Sequence, residues 1–223
     1  MQLYVNMAAT TSRAVLAFCH AAGVALEIKH VDILRGEQHA PAFAALNPNR
    51  LVPVLVDDGF VLTESSAILR YLACRSRSPL YPDDLQTRAR IDERMAWFEA
   101  NFFKDFGYQY VYPQLLPHHA RSSPEGTRSA IEWGRVKSRA WLQVLDEHLL
   151  GGSGWLVGGA LSIADFFCAS ILSLGELVGC RLDDYPNVQR WYAQVTELPS
   201  WRDVNGTFRD FAGSLRVGEF VRL

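Results

Sequence analysis

Residues 43–72 read FAALNPNRLVPVLVDDGFVLTESSAILRYL and change local structure three times. Asn47-Pro48 closes a short helix over "APAFAALNP", because the residue before a proline is pushed out of the helical region. Val52-Pro53 then opens an apolar run. Val54 to Val56 and Phe60 to Leu62 flank Asp57-Asp58-Gly59, the signature of a β-hairpin. Glu64-Ser65 precedes a helix with Ala67, Ile68, Tyr71 and Leu72 on its apolar face.

Working outward toward the N-terminus, residues 2 to 6 predict a short strand. Thr10 to Ala22 predicts a helix with Ala14, Val15, Phe18 and Ala22 on one face and Gly23 as its stop. "ALEIKHVDI" alternates Leu26, Ile28 and His30 against Glu27 and Lys29, a strand pattern. The order is β-α-β-α-β-β-α. A strand-helix-strand unit implies a parallel pair, and the hairpin adds antiparallel strands.

Downstream, "CRSRSPLYPDD" (74–84) has the prolines and charges of a linker. Everything beyond it reads as helix. Leu85 to about Leu116 is long and rich in aromatics, with Gly107 as a bend. Ser122-Ser-Pro-Glu125 has capping-box spacing with an early proline, and that helix runs to about Leu149 before Gly151-Gly152. Ser162-Ile-Ala-Asp165 opens a third helix, apolar on most sides and therefore central. Pro186 to Glu197 is a fourth. The expected fold is α/β plus all-α: a domain over 1–75, a linker over 76–86, and a helical domain over 87–223.

Of the 223 residues, 49% are hydrophobic and 21% charged, as in ordinary globular proteins. A formal charge of -2 and the lack of a basic run argue against nucleic acid and anionic membranes as partners. No apolar stretch of about 20 residues could span a bilayer, and no signal peptide is evident. Cys19, Cys74, Cys168 and Cys180 are scattered and read as small buried hydrophobes in a reducing, cytoplasmic setting. Adjacent His118-His119 lack the spacing of a metal site and read as an exposed loop.

The stretches "LYVNMAATTSRAV", "FAALNPNRLVPVLVDDGFVLTESSAILRYL", "YPDDLQTRARIDERMAW" and "LSIADFF" together resemble the cytosolic glutathione S-transferases, most of all the theta- and delta-like branch and its bacterial relatives. The resemblance implies a thioredoxin-like domain followed by a helical bundle, glutathione as co-substrate, no metal, and a homodimer. It implies a cis bond at Val52-Pro53, although an X–Pro bond taken alone is expected to be trans. The Val52 backbone would then pair with the tripeptide like an added strand. Ser65 and the start of its helix would take the γ-glutamyl carboxylate, and Glu64 the ammonium. Arg50, beside Leu51, falls where relatives often place a base near the glycyl carboxylate; an exposed loop arginine is the competing reading. Gln38 takes the position where relatives carry histidine, with His39 displaced by one. Ser162 and Asp165 match a buried capping box with a structural task. The aromatics of the 85–116 helix would wall an electrophile pocket, with Phe106, Tyr108 and Tyr112 as candidates.

Relatives carry a thiolate-stabilising serine four positions before Arg13. That position is Ala9 here, which has no donor. Thr10 is the expected substitute and Ser12 the runner-up, unless Ser12 caps its helix; Arg13 would add positive potential. The expected function is conjugation of glutathione to small hydrophobic electrophiles. Ala9 supports the alternative of a non-catalytic protein of the same fold that binds ligands or partners.

Overall fold

The computed structural model describes residues 1–215 and 220–223. Four strands, β1 (Gln2–Val5), β2 (Glu27–His30), β3 (Val54–Asp57) and β4 (Phe60–Leu62), form one sheet in the order β2-β1-β3-β4. β1 pairs parallel with β2, Leu3 opposite Ile28, and antiparallel with β3, Leu3 opposite Leu55. The β3–β4 hairpin sets Leu55 opposite Leu62. Leu3, Val5 and Leu55 are fully buried, as alternation requires of the core-facing set.

Helices α1 (Thr10–Ala22), α2 (Pro41–Leu46) and α3 (Ser65–Arg75) complete this layer. Gly23 ends α1 in the left-handed conformation, φ 64°, donating to the carbonyl of His20. The helical half holds α4 (Leu85–Trp97), α5 (Tyr112–Leu115), α6 (Pro124–Val144), α7 (Ile163–Leu172), α8 (Pro186–Thr196), α9 (Pro199–Val204) and α10 (Gly206–Ser214). One apolar core runs through both halves, from Leu3 and Phe18 to Phe98, Phe166 and Trp191. α1 lies between the sheet and α7, so its residues from Ser12 to Cys19 are all buried.

Asp165 organises the helical half. Its buried carboxylate accepts from the Ser162 N–H (2.8 Å), the Ser162 hydroxyl (2.9 Å), the Leu156 N–H (3.0 Å) and Trp191 Nε1 (2.9 Å). The expected capping box is therefore also a tie between α7, α8 and the preceding loop.

Several expectations are corrected. The residue that caps α6 is Ser123, whose hydroxyl accepts from the Gly126 N–H at 3.0 Å; Pro124 holds the first helical position, so Ser122 falls outside the cap. The long aromatic segment does not bend simply at Gly107. It continues from α4 to α5 through π-helical turns at Phe98–Phe103 and Phe106–Val111. Cys74 is exposed near the end of α3, not buried. Helices α9 and α10 lie beyond the last expected helix and pack back on α1 and the α7 extension. No helix among the described residues is long and apolar enough to cross a membrane.

Candidate active site

Two helix starts and one loop meet at the carboxyl ends of β1 and β4 and the amino end of β3. The first start is α1. Ala9 is its N-cap and supplies no side-chain bond, so the first-turn N–H groups have no side-chain partner. The second is α3. Its N-cap is Glu64, again without a side-chain bond, and Ser65 is the first helical residue. Glu64 sits at φ 64°, ψ 114°, left-handed backbone that costs a non-glycine residue about 1–3 kcal/mol. Ser66, one residue on, is engaged away from the helix start and donates to Glu99 Oε1 at 2.8 Å.

The loop before β3 is held by a residue the sequence reading passed over except as part of an Asn-Pro pair. Asn47 is buried; its Nδ2 donates to the Leu51 carbonyl (2.8 Å), and its Oδ1 accepts from the Asn49 N–H (3.0 Å). The Arg50 N–H closes the turn on the Asn47 carbonyl, leaving the Arg50 side chain exposed at φ 57°. Leu51 is exposed as well. The Val52-Pro53 bond is cis. Thr11 Oγ1 donates to the Val52 carbonyl at 2.9 Å and so pins the loop to α1. The Val52 N–H has no partner among the described residues. A lone backbone donor on a fixed loop invites an extended ligand to pair with it.

The third component is the aromatic wall. Tyr112 lies near the start of α1, where the Thr10 hydroxyl draws its phenol slightly down against the larger upward push of burial. Burial pushes that phenol up to about 12, so it is a neutral donor at pH 7. Tyr108 packs edge-on against Tyr112, centroids 5.3 Å apart. Its phenol is raised first by burial and then by the charge of Glu64 across the site. Phe103 packs against both tyrosines.

Four expected site residues lie elsewhere or face elsewhere. Ser12 is fully buried with an unpartnered hydroxyl; it neither caps α1 nor opens toward a ligand. Arg13 turns into the interdomain core. Its guanidinium donates to Ser173 Oγ (2.9 Å) and to Asn205 Oδ1 and lies 3.7 Å from the Phe208 ring centroid. Burial pulls it down to about 10, opposed by Tyr192 and Glu176, so it stays charged as a structural pillar. Phe106 is core, stacked on Phe102 at 4.7 Å, because the π turns rotate it away from the face carrying Tyr108 and Tyr112. Gln38 donates inward to the Ile33 carbonyl (3.2 Å), while His39 is exposed beside it. His119 reverses the other way. It is half-buried and packs on Tyr108 and Tyr112, so it is no free loop residue.

Family models cover most of the chain. The glutathione S-transferase N-terminal domain matches residues 1–74, and the glutathione S-transferase C-terminal domain matches 103–199. The chain belongs to the glutathione S-transferase family. Among curated glutathione S-transferases, mouse theta-3 is 32% identical over 202 residues, 87% of this chain and 81% of its own length. Fruit-fly glutathione S-transferase D6 is 33% identical over 204 residues, 90% of each. Human glutathione transferase theta-2, solved with glutathione and an unknown ligand, superposes with a TM-score of 0.85 at 28% identity, covering 97% of this chain and 92% of its own. The fold, a thioredoxin-like sheet domain followed by helices, and the enzyme class follow: this is a glutathione transferase. No cluster of three metal-binding side chains occurs among the described residues.

Proposed function

We propose that this glutathione transferase holds the tripeptide along Val52 and at the start of α3, and activates its thiol at the start of α1 for attack on small hydrophobic electrophiles. The free Val52 N–H, on a carbonyl-pinned loop between two helix starts without side-chain caps, carries this reading. The γ-glutamyl carboxylate meets the first-turn N–H groups of Ser65 and Ser66, and the carboxylate of Glu64 pairs with the ammonium. The glycyl carboxylate lies toward exposed Arg50, beside Leu51.

The cysteinyl sulfur then faces the start of α1. The Thr10 hydroxyl, at the start of α1, donates to the sulfur, beside the neutral Tyr112 phenol. The dipole of the 13-residue α1 adds to that donor. The thiol proton passes to solvent. The thiolate forms the new C–S bond as the leaving group departs with its electron pair. Tyr108 and Tyr112 wall the electrophile.

Exposed Phe60 and Val61 on the β4 edge and Leu85 at the start of α4 support a homodimer; sedimentation should give about twice the 25.0 kDa chain mass. A cytoplasmic location fits the four unpaired cysteines. We also divide the chain functionally at 76–86, between glutathione-binding and electrophile-binding parts. Calorimetric titration with glutathione tests the core of the proposal. Glu64→Ala and Ser65→Ala should each weaken binding by about 1–3 kcal/mol, the loss of a bond to a charged group. Unchanged affinity in both removes the assignment.

A further inference from the structure

The chain passes from β1 to α1 through Asn6-Met7-Ala8-Ala9. Its last two residues are alanines, so neither can fix the turn through a polar side chain. Asn6 fixes it for them. Its Oδ1 accepts from the Ala8 N–H at 3.1 Å, an Asx turn, and its carbonyl accepts from the Ala9 N–H at 3.1 Å. Its Nδ2 donates to the Val31 carbonyl at 3.1 Å, one residue past the end of β2. There the Val31 N–H donates in turn to the Val5 carbonyl at 2.8 Å. One side chain thereby ties the end of β1, the end of β2 and the approach to α1.

The effect on α1 is specific. The N–H groups of Ala8 and Ala9 are taken by Asn6, and the Arg13 N–H donates to the Ala9 carbonyl at 3.0 Å. Between them, the N–H groups of Thr10, Thr11 and Ser12 have no partner among the described residues. Thr10, the first residue of α1, stands at that opening between two anchors. On the far side Thr11 donates to the Val52 carbonyl at 2.9 Å, and on the near side is Asn6. Without the near anchor the two alanines regain backbone freedom, and a hydrogen bond weakens steeply once its donor is displaced or misaligned.

We infer that Asn6 is a positioning residue for thiol activation: by closing the turn over Ala8 and Ala9 it holds the Thr10 hydroxyl in line with the cysteinyl sulfur of glutathione. This rests on the Thr10 assignment proposed above. Asn6 acts through Thr10, touches neither the sulfur nor the electrophile, and takes no proton.

The test is the thiol pKa of bound glutathione, titrated by ultraviolet absorbance, with glutathione affinity measured by calorimetry alongside. Wild type, Asn6→Ala, Asn6→Ser, Thr10→Val and the double variant of Asn6→Ala with Thr10→Val are compared. Serine keeps a short acceptor for the Ala8 N–H but falls short of Val31. Asn6→Ala should raise the bound thiol pKa by about half a unit and slow conjugation at neutral pH about threefold. Asn6→Ser should recover most of that shift. On the Thr10→Val background Asn6→Ala should add less than about 0.2 unit, because the group it positions is gone. Glutathione affinity should stay within about twofold throughout, which shows that the variants are folded. An unchanged pKa in Asn6→Ala, an equal shift in Asn6→Ser, or the full shift on the Thr10→Val background overturns the inference while leaving the glutathione site standing. So does a loss of glutathione affinity of about tenfold or more in Asn6→Ala, the mark of a merely structural role. No shift in Thr10→Val itself overturns the Thr10 assignment and this inference with it.

Discussion

The start of α7 and the starts of α1 and α3 solve the same physical problem in opposite ways. Every helix begins with N–H groups that lack partners in the helix itself. At α7 the protein supplies them internally: Ser162 and Asp165 close a capping box, and the same carboxylate collects Leu156 and Trp191. At α1 and α3 no side chain caps the first turn, and the N-cap of α3 is held in strained backbone. Side-chain capping is built at α7 and absent at the two starts proposed to face the ligand. In the function proposed above, glutathione brings the anionic groups that the uncapped starts lack.

The largest effect should come from the capped side. Asp165→Ala leaves four buried donors without an acceptor and should lower unfolding stability by about 4 kcal/mol or more, measured by denaturant titration. A loss under about 1 kcal/mol would remove the contrast. Arg13→Ala should follow at about 3 kcal/mol, because Ser173 and Asn205 lose their donor and Phe208 its cation. Its glutathione affinity, by calorimetry, should remain near wild type; a collapse of affinity with intact stability would return Arg13 to the ligand site.

Glu64→Gly sharpens the comparison by separating its two sides. Glycine relieves the positive φ and should raise stability by about 1 kcal/mol. The same change removes the ammonium partner and should weaken glutathione by about 2 kcal/mol. Opposite signs in unfolding and binding are the expected outcome. Parallel losses would mean that Glu64 is an ordinary structural residue.

The fold was legible because its signals are local. The Asn-Pro stop, the Asp-Asp-Gly turn, the Gly23 terminator and the Ser162/Asp165 box each act within a few residues. Of the proposed site, the backbone features were legible: the cis bond at Val52-Pro53 and the start of α3. Side chains whose roles depend on distant packing were misread. Arg13 looked like a ligand contact because α9 and α10, which enclose it, were not foreseen. Phe106 and Tyr108 looked equivalent because a π turn changes facing by more than helical spacing allows for. Asn47, Thr11 and His119 have roles set by partners several residues to 41 residues away, as with Thr11 and Val52. Ala9 is the N-cap of α1 and lacks a donor, and Thr10 beside it carries the hydroxyl proposed in its place.

The Thr10 hydroxyl as donor to the thiol is the central claim, and the acidity of bound glutathione tests it most directly. The thiolate absorbs in the ultraviolet, so the thiol pKa in the complex can be titrated spectroscopically in wild type, Thr10→Val and Ser12→Ala. Loss of the Thr10 hydroxyl should raise the bound thiol pKa by about one unit, equivalent to about 1.4 kcal/mol, and slow conjugation at neutral pH by about tenfold. Ser12→Ala, at a closed position, should leave the titration unchanged. An unchanged thiol pKa in Thr10→Val would contradict the account and leave the α1 backbone as the sole source of activation.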